Sequence, residues 1–69
     1  DVKSRADVYA IIDELASQGK AVLVVSSHFP ELLAICDRIA VMHRGRLAAA
    51  TPVTELTEHR LMLDAAGVG

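Results

Sequence analysis

A chain of 69 residues holds one small domain at most and buries only about 60% of its unfolded surface. Its single cysteine, Cys36, excludes an intrachain disulfide, and its five-residue apolar runs are too short to span a bilayer. Seven Lys and Arg against nine Asp and Glu give a net charge of -2, scattered without a basic block, so the clustered positive footprint of a nucleic-acid binder is missing.

The first predicted element is a helix. Ser4 followed by Asp7 gives a capping-box-like start. Val8, Ile11, Ile12 and Leu15 then recur at helical spacing and make one apolar face. Gly19 supplies the stop. Ala21–Val25 is a β-branched apolar run without polar alternation, which predicts a strand buried on both faces, the mark of a parallel sheet. Ser26, Ser27, His28, Phe29 and Pro30 form the turn out of it. Pro30 fits the first turn of a second helix carrying Leu32, Leu33, Ile35 and Cys36.

Ile39–Met42 predicts another short strand, and Arg44–Gly45 a tight turn into a third strand at Leu47–Ala50. Thr54 and Thr57 are cap candidates for a last helix with Leu61, Met62, Ala65 and Ala66, ending at Gly67. Strand, helix and strand over 21–42 make a βαβ unit with a right-handed crossover. Two parallel strands and a hairpin are the closing edge of a larger α/β domain. The buried strand wants neighbours outside these residues, and its exposed flanks predict self-association. The first residue is Asp rather than Met, which also fits a piece of something longer. No charged n-region precedes an apolar stretch, so no signal peptide is expected.

Little of the chain carries chemistry by spacing alone. Around Lys20, Glu14 stands where a phosphate loop needs its first glycine, and Ala21 where it needs Ser or Thr. His28, Cys36, His43 and His59 match no zinc spacing, so surface histidines and a packed thiol are the plainer reading. Asp37 and Arg38 read as a solvated helix end. The turn Ser26–Ser27–His28 is the strongest candidate, because ligands in open α/β sheets bind beyond the carboxyl ends of the strands. The plainer reading there is a turn that caps the next helix.

Those same residues resemble a family. The run from Gly19 through Val25, Ser26, Ser27, His28, Phe29, Pro30, Glu31, Leu32 and Leu33 is similar to the strand and switch region of ABC-transporter ATP-binding domains. Its continuation through Asp37-Arg38-Ile39 and the Arg44-Gly45 hairpin is similar too. The Ser-Ser-x-x-Pro-Glu-Leu-Leu form resembles the second ATP-binding half of tandem sugar importers of the ribose and xylose type. The resemblance covers essentially the whole chain.

It implies a fold class: α/β, the C-terminal βαβ-plus-hairpin portion of a P-loop NTPase domain, flanked by helices. Residues 1–69 would hold the D-loop end, the switch-loop region, the closing hairpin and the C-terminal helix. It also implies site residues. The family's switch histidine lies four residues before the glutamate and ten before the Asp-Arg aspartate. Counting back from Glu31 and from Asp37 gives Ser27 both times, so a serine occupies the switch position. A hydroxyl is a short neutral donor where the family uses an imidazole on the γ-phosphate, so this half is expected to hydrolyse ATP poorly. His28 is a substitute candidate, and Asp1 resembles the D-loop aspartate at the dimer interface.

The full subunit would take ATP and Mg2+, a second ATP-binding domain and transmembrane permease subunits. It would sit in the cytoplasm, peripheral to the inner face of the plasma membrane, and not bind nucleic acid. Without Walker A, signature and Walker B motifs, the 69 residues alone are expected to be inactive and to bind no cofactor or metal. Two other readings stand beside this one. The first is a stand-alone small α/β interaction or regulatory module without nucleotide binding. The second is a divergent domain of an exporter or a non-transport ATPase.

Overall fold

A computed structural model describes residues 2–68. Helix α1 runs Val2–Ser17. Ser4 therefore lies inside the first turn and is not the N-cap residue, which corrects the expected start. The far end matches expectation. Gly19 N–H bonds the Ala16 carbonyl and Lys20 N–H the Leu15 carbonyl, the paired bonds of a Schellman motif. Val8 and Ile11 are exposed, Ile12 and Leu15 half-buried, and no α1 side chain is fully buried. The apolar face was legible, but within residues 2–68 little covers it.

The segment 20–27 carries no strand. This corrects the expected buried strand at Ala21–Val25 and the first arm of the βαβ unit. A parallel strand exists only through ladder partners on neighbouring strands, and no described residue pairs with this one. Leu23 and Val25 are about nine-tenths exposed, so one face of the run that reads as a core strand is uncovered here, while Val24 packs against the core.

Helix α2 is Phe29–Ile35, with His28 as its N-cap and Pro30 in its first turn. Two short antiparallel pairs follow. Strands β2 (Met42–His43) and β3 (Arg46–Leu47) pair Met42 with Leu47 and His43 with Arg46. Strands β1 (Arg38–Ile39) and β4 (Thr51–Pro52) pair Arg38 with Pro52 and Ile39 with Thr51. The turn between β2 and β3 is Arg44–Gly45, both at positive φ (49° and 77°), the type I′ geometry that matches strand twist.

The two pairs are arms of one hairpin whose register shifts along its length. Ala48 N–H bonds the Val41 carbonyl at 3.0 Å. Ala40 therefore stands opposite two residues, Ala49 and Ala50, before Ile39 meets Thr51. That is the two-against-one count of a β-bulge, which bends the arm and increases its twist. The expected strand ends at Met42 and Ala50 are displaced by this irregularity. The register keeps Ile39 on the covered face: it is buried, whereas Met42 and Leu47 are exposed.

A 3-10 turn, Val53–Glu55, leads to helix α3, Glu58–Ala65. Thr57 is the N-cap and its hydroxyl accepts from Arg60 N–H at 3.1 Å, whereas Thr54 lies inside the preceding turn and caps nothing. Arg60 and Asp64 pair one turn apart at 2.6 Å on the surface, a contact worth little. Leu32, Ile39 and Leu61 make the buried core, one each from α2, β1 and α3. Val24, Phe29, Leu33, Cys36, Val41, Val53 and Leu56 surround them. Among the described residues no helix is long and apolar enough to cross a membrane.

Candidate functional site

Ser26, Ser27 and His28 share one turn between the strandless segment and α2. Ser26 is half-buried, and its Oγ accepts the His28 N–H at 3.0 Å. This bond spans two residues and holds the backbone at the helix entry. Ser27, between them, is exposed. His28 is also exposed; its backbone serves as N-cap with φ −91° and ψ 92°, and its imidazole makes no capping bond. Asp1 lies outside the described residues.

Glu31, the third residue of α2, holds this turn to α1. The Tyr9 hydroxyl donates to Glu31 Oε2 across the two helices. That bond, ahead of smaller help from His28, Arg5 and the Ser26 hydroxyl, holds the Glu31 carboxyl below its ordinary range despite a cost of partial burial. The same bond, with partial burial and the Glu31 charge, pushes the Tyr9 phenol up from 10.0, against a smaller opposing effect of Arg5. The sequence reading missed this pair. Its signals were Glu31 itself and the one tyrosine of the chain, but pairing across 22 positions has no local signature.

The sign of each shift sets a pH window. Glu31 has a depressed folded value, so its contribution is present above the ordinary carboxylate range and fades as pH falls through the lowered value. Tyr9 has a raised value, so its contribution is present below about pH 10 and fades as pH rises through the raised one. We expect the α1–α2 contact to be lost at both extremes. Loss of the Tyr9–Glu31 bond in an NMR pH titration checks this, with Glu31→Gln removing the acid limb. An acid limb that survives Glu31→Gln would contradict it.

A second polar contact sits at the opposite end of the hairpin. His43 Nδ1–H donates to the Ala65 carbonyl at 3.0 Å, joining β2 to the last turn of α3. Cys36 packs beside the core at the end of α2. Burial, then the charges of Asp37 and Glu31, pushes its thiol up, away from the reactive thiolate. Among the described residues no three His, Cys, Asp or Glu side chains converge as a metal site.

What can the turn do chemically? It offers one exposed hydroxyl at Ser27. No glycine lies between Lys20 and Arg44 to let backbone approach a polyphosphate, and Glu31, the nearby carboxylate, is already bound by Tyr9. The described turn therefore presents one short neutral hydrogen-bond donor, the Ser27 hydroxyl.

Comparison with known proteins places the turn in context. The chain is 45% identical over 67 residues to the ribose import ATP-binding protein RbsA 2 of Streptomyces avermitilis, covering 97% of the chain and 13% of the relative. The ribose import ATP-binding protein RbsA of Pseudomonas putida gives the same figures. The arabinose import ATP-binding protein AraG of Rhizobium meliloti is 45% identical over 65 residues, 94% of the chain and 13% of the relative. The chain matches the ATP-binding proteins of sugar importers. This bears out the resemblance drawn from the Ser-Ser-x-x-Pro-Glu turn and the Asp-Arg-Ile hairpin. The chain spans about an eighth of the length of these relatives. No family model matches it, and no solved structure matches it.

Proposed function

We propose that this chain is the C-terminal part of the second ATP-binding domain in a subunit that powers sugar import by ATP binding and hydrolysis. The carrying observation is identity of about 45% to sugar-import ATP-binding proteins over nearly the whole chain. In this reading the domain is a P-loop NTPase of ABC type. Residues 1–69 contribute the D-loop end, the switch region, the closing hairpin and the C-terminal helix. Asp1 faces a second ATP-binding domain. Ser27 faces the γ-phosphate with a hydroxyl in place of an imidazole, and this half hydrolyses ATP poorly.

ATP and Mg2+ are held by segments other than these residues; when bound, they supply the phosphoryl group and its charge neutralisation. The subunit works in the cytoplasm at the inner face of the plasma membrane, against transmembrane permease subunits. The uncovered Val8, Ile11, Leu23 and Val25 support the reading, since the remainder of such a domain would cover them. Isolated from that remainder, the 69 residues are inactive and self-associate through the uncovered apolar segment Ala21–Val25. Sedimentation of the isolated chain should show oligomers that Leu23→Lys disperses. A monomer at every concentration would favour the stand-alone module.

The experiment that tests the reading begins with the coding sequence upstream. A glycine phosphate loop and a signature motif in frame are expected. In that full subunit, Ser27→His should raise ATP hydrolysis by this half about tenfold, through a longer donor able to carry charge. An unchanged rate would contradict the assignment of Ser27 to the switch position.

A further inference from the structure

We infer that Tyr9 is a positioning residue for the Ser26–Ser27–His28 turn, acting through Glu31 as a brace between α1 and the entry of α2. Two hydrogen bonds frame this turn, and the first turn of α2 joins them. The Tyr9 hydroxyl donates to the Glu31 carboxylate. Glu31 stands in the first turn of α2, three residues past its N-cap His28, and Leu32 N–H closes that turn on the His28 carbonyl at 3.2 Å. Ser26 Oγ in turn accepts the His28 N–H. The Tyr9–Glu31 bond, that helix turn and the Ser26–His28 bond together make one brace. It fixes the residues on both sides of Ser27 and leaves Ser27 itself exposed.

Tyr9 suits this task. Its phenol is long and has few rotatable bonds, and its ring lines a groove with Ile12 and Ala16 of α1 and Ala34 and Ile35 of α2. No α1 side chain is fully buried, so deep packing does not lock α1 against α2. A directional bond has correspondingly more influence on where the turn sits. The consequence for nucleotide contact rests on the reading above that places Ser27 at the terminal phosphate.

The test uses the full subunit and two readouts, amide exchange and ATP–Mg affinity. Tyr9→Phe keeps the ring and removes the donor. It should speed exchange at His28 about fivefold, the size of one net hydrogen bond, and leave the amides of 10–17 in α1 unchanged. Glu31→Ala should match it, Glu31→Gln should largely retain slow exchange, and Tyr9→Phe with Glu31→Ala should be no faster than Glu31→Ala. ATP–Mg should bind Tyr9→Phe several-fold more weakly, and Tyr9→Phe should add nothing once Ser27 is alanine. Faster exchange at His28 with unchanged ATP affinity would support the brace and sink the placement of Ser27 at the phosphate. Unchanged exchange at His28, or equal acceleration throughout α1, would overturn the brace.

Discussion

Replacing Leu61 by alanine is expected to remove most of the stability of this unit. Leu61 has no exposed surface, and it is the α3 member of a core completed by Leu32 of α2 and Ile39 of β1. Truncating a buried leucine costs about 2–5 kcal/mol, from lost transfer energy and from the cavity left behind. A core of this size rarely supplies more than about 3–5 kcal/mol, so the loss is of the same order as the total. Urea unfolding followed by circular dichroism should show the transition collapse toward zero denaturant. A midpoint shift no larger than that of Met62→Ala, at a half-exposed position of the same helix, would contradict the three-residue core.

The second large effect is expected at Gly67. Helix α3 ends with Gly67 N–H on the Asp64 carbonyl at 3.0 Å and Val68 N–H on the Leu63 carbonyl at 2.9 Å, the full Schellman pair. That ending puts Gly67 at φ +81°, where an ordinary side chain costs roughly 1–2 kcal/mol. The surroundings add to this cost. A Cβ there would stand 2.6 Å from His43 Nε2 and 2.9 Å from Cε1, inside any allowed contact. The ring cannot retreat while keeping its bond from Nδ1 to Ala65. Gly67→Ala should therefore uncouple α3 from the hairpin and lose more stability than Gly45→Ala. At Gly45 φ is similar but a Cβ meets open space. Equal losses at the two glycines would show that backbone strain alone is at work and that the His43 contact is idle.

These two positions illustrate what the sequence could and could not reveal. Gly67 was legible as a helix stop because a local signal fixes it, and Thr57 as a cap for the same reason. The turn at Arg44–Gly45 was equally local. Its partner irregularity was not: a bulge at Ala40 against Ala49 and Ala50 depends on the register of two arms, and three alanines carry no preference that announces it. The Ala21–Val25 run shows the opposite limit. Its composition reports the environment it would suit, which is a sheet interior, and not the contacts available within residues 2–68. The proposal that Ser27 holds the switch position rests on the family resemblance and its spacing from Glu31 and Asp37. The Tyr9 link to Glu31 is tertiary and left no trace in spacing or periodicity.

The bond of Tyr9 to Glu31, the bond of His28 N–H to Ser26 Oγ and the exposed Ser27 beside them belong to one account, in which this turn meets the terminal phosphate of ATP. Its most direct test is chemical labelling in the full subunit carrying Ser27→Cys with Cys36→Ala. The rate of thiol modification at position 27, read by mass spectrometry of that peptide, is measured alone, with ADP–Mg and with ATP–Mg. The account predicts that ATP–Mg slows the reaction several-fold and ADP–Mg slows it far less. The same labelling rate in all three conditions would contradict it.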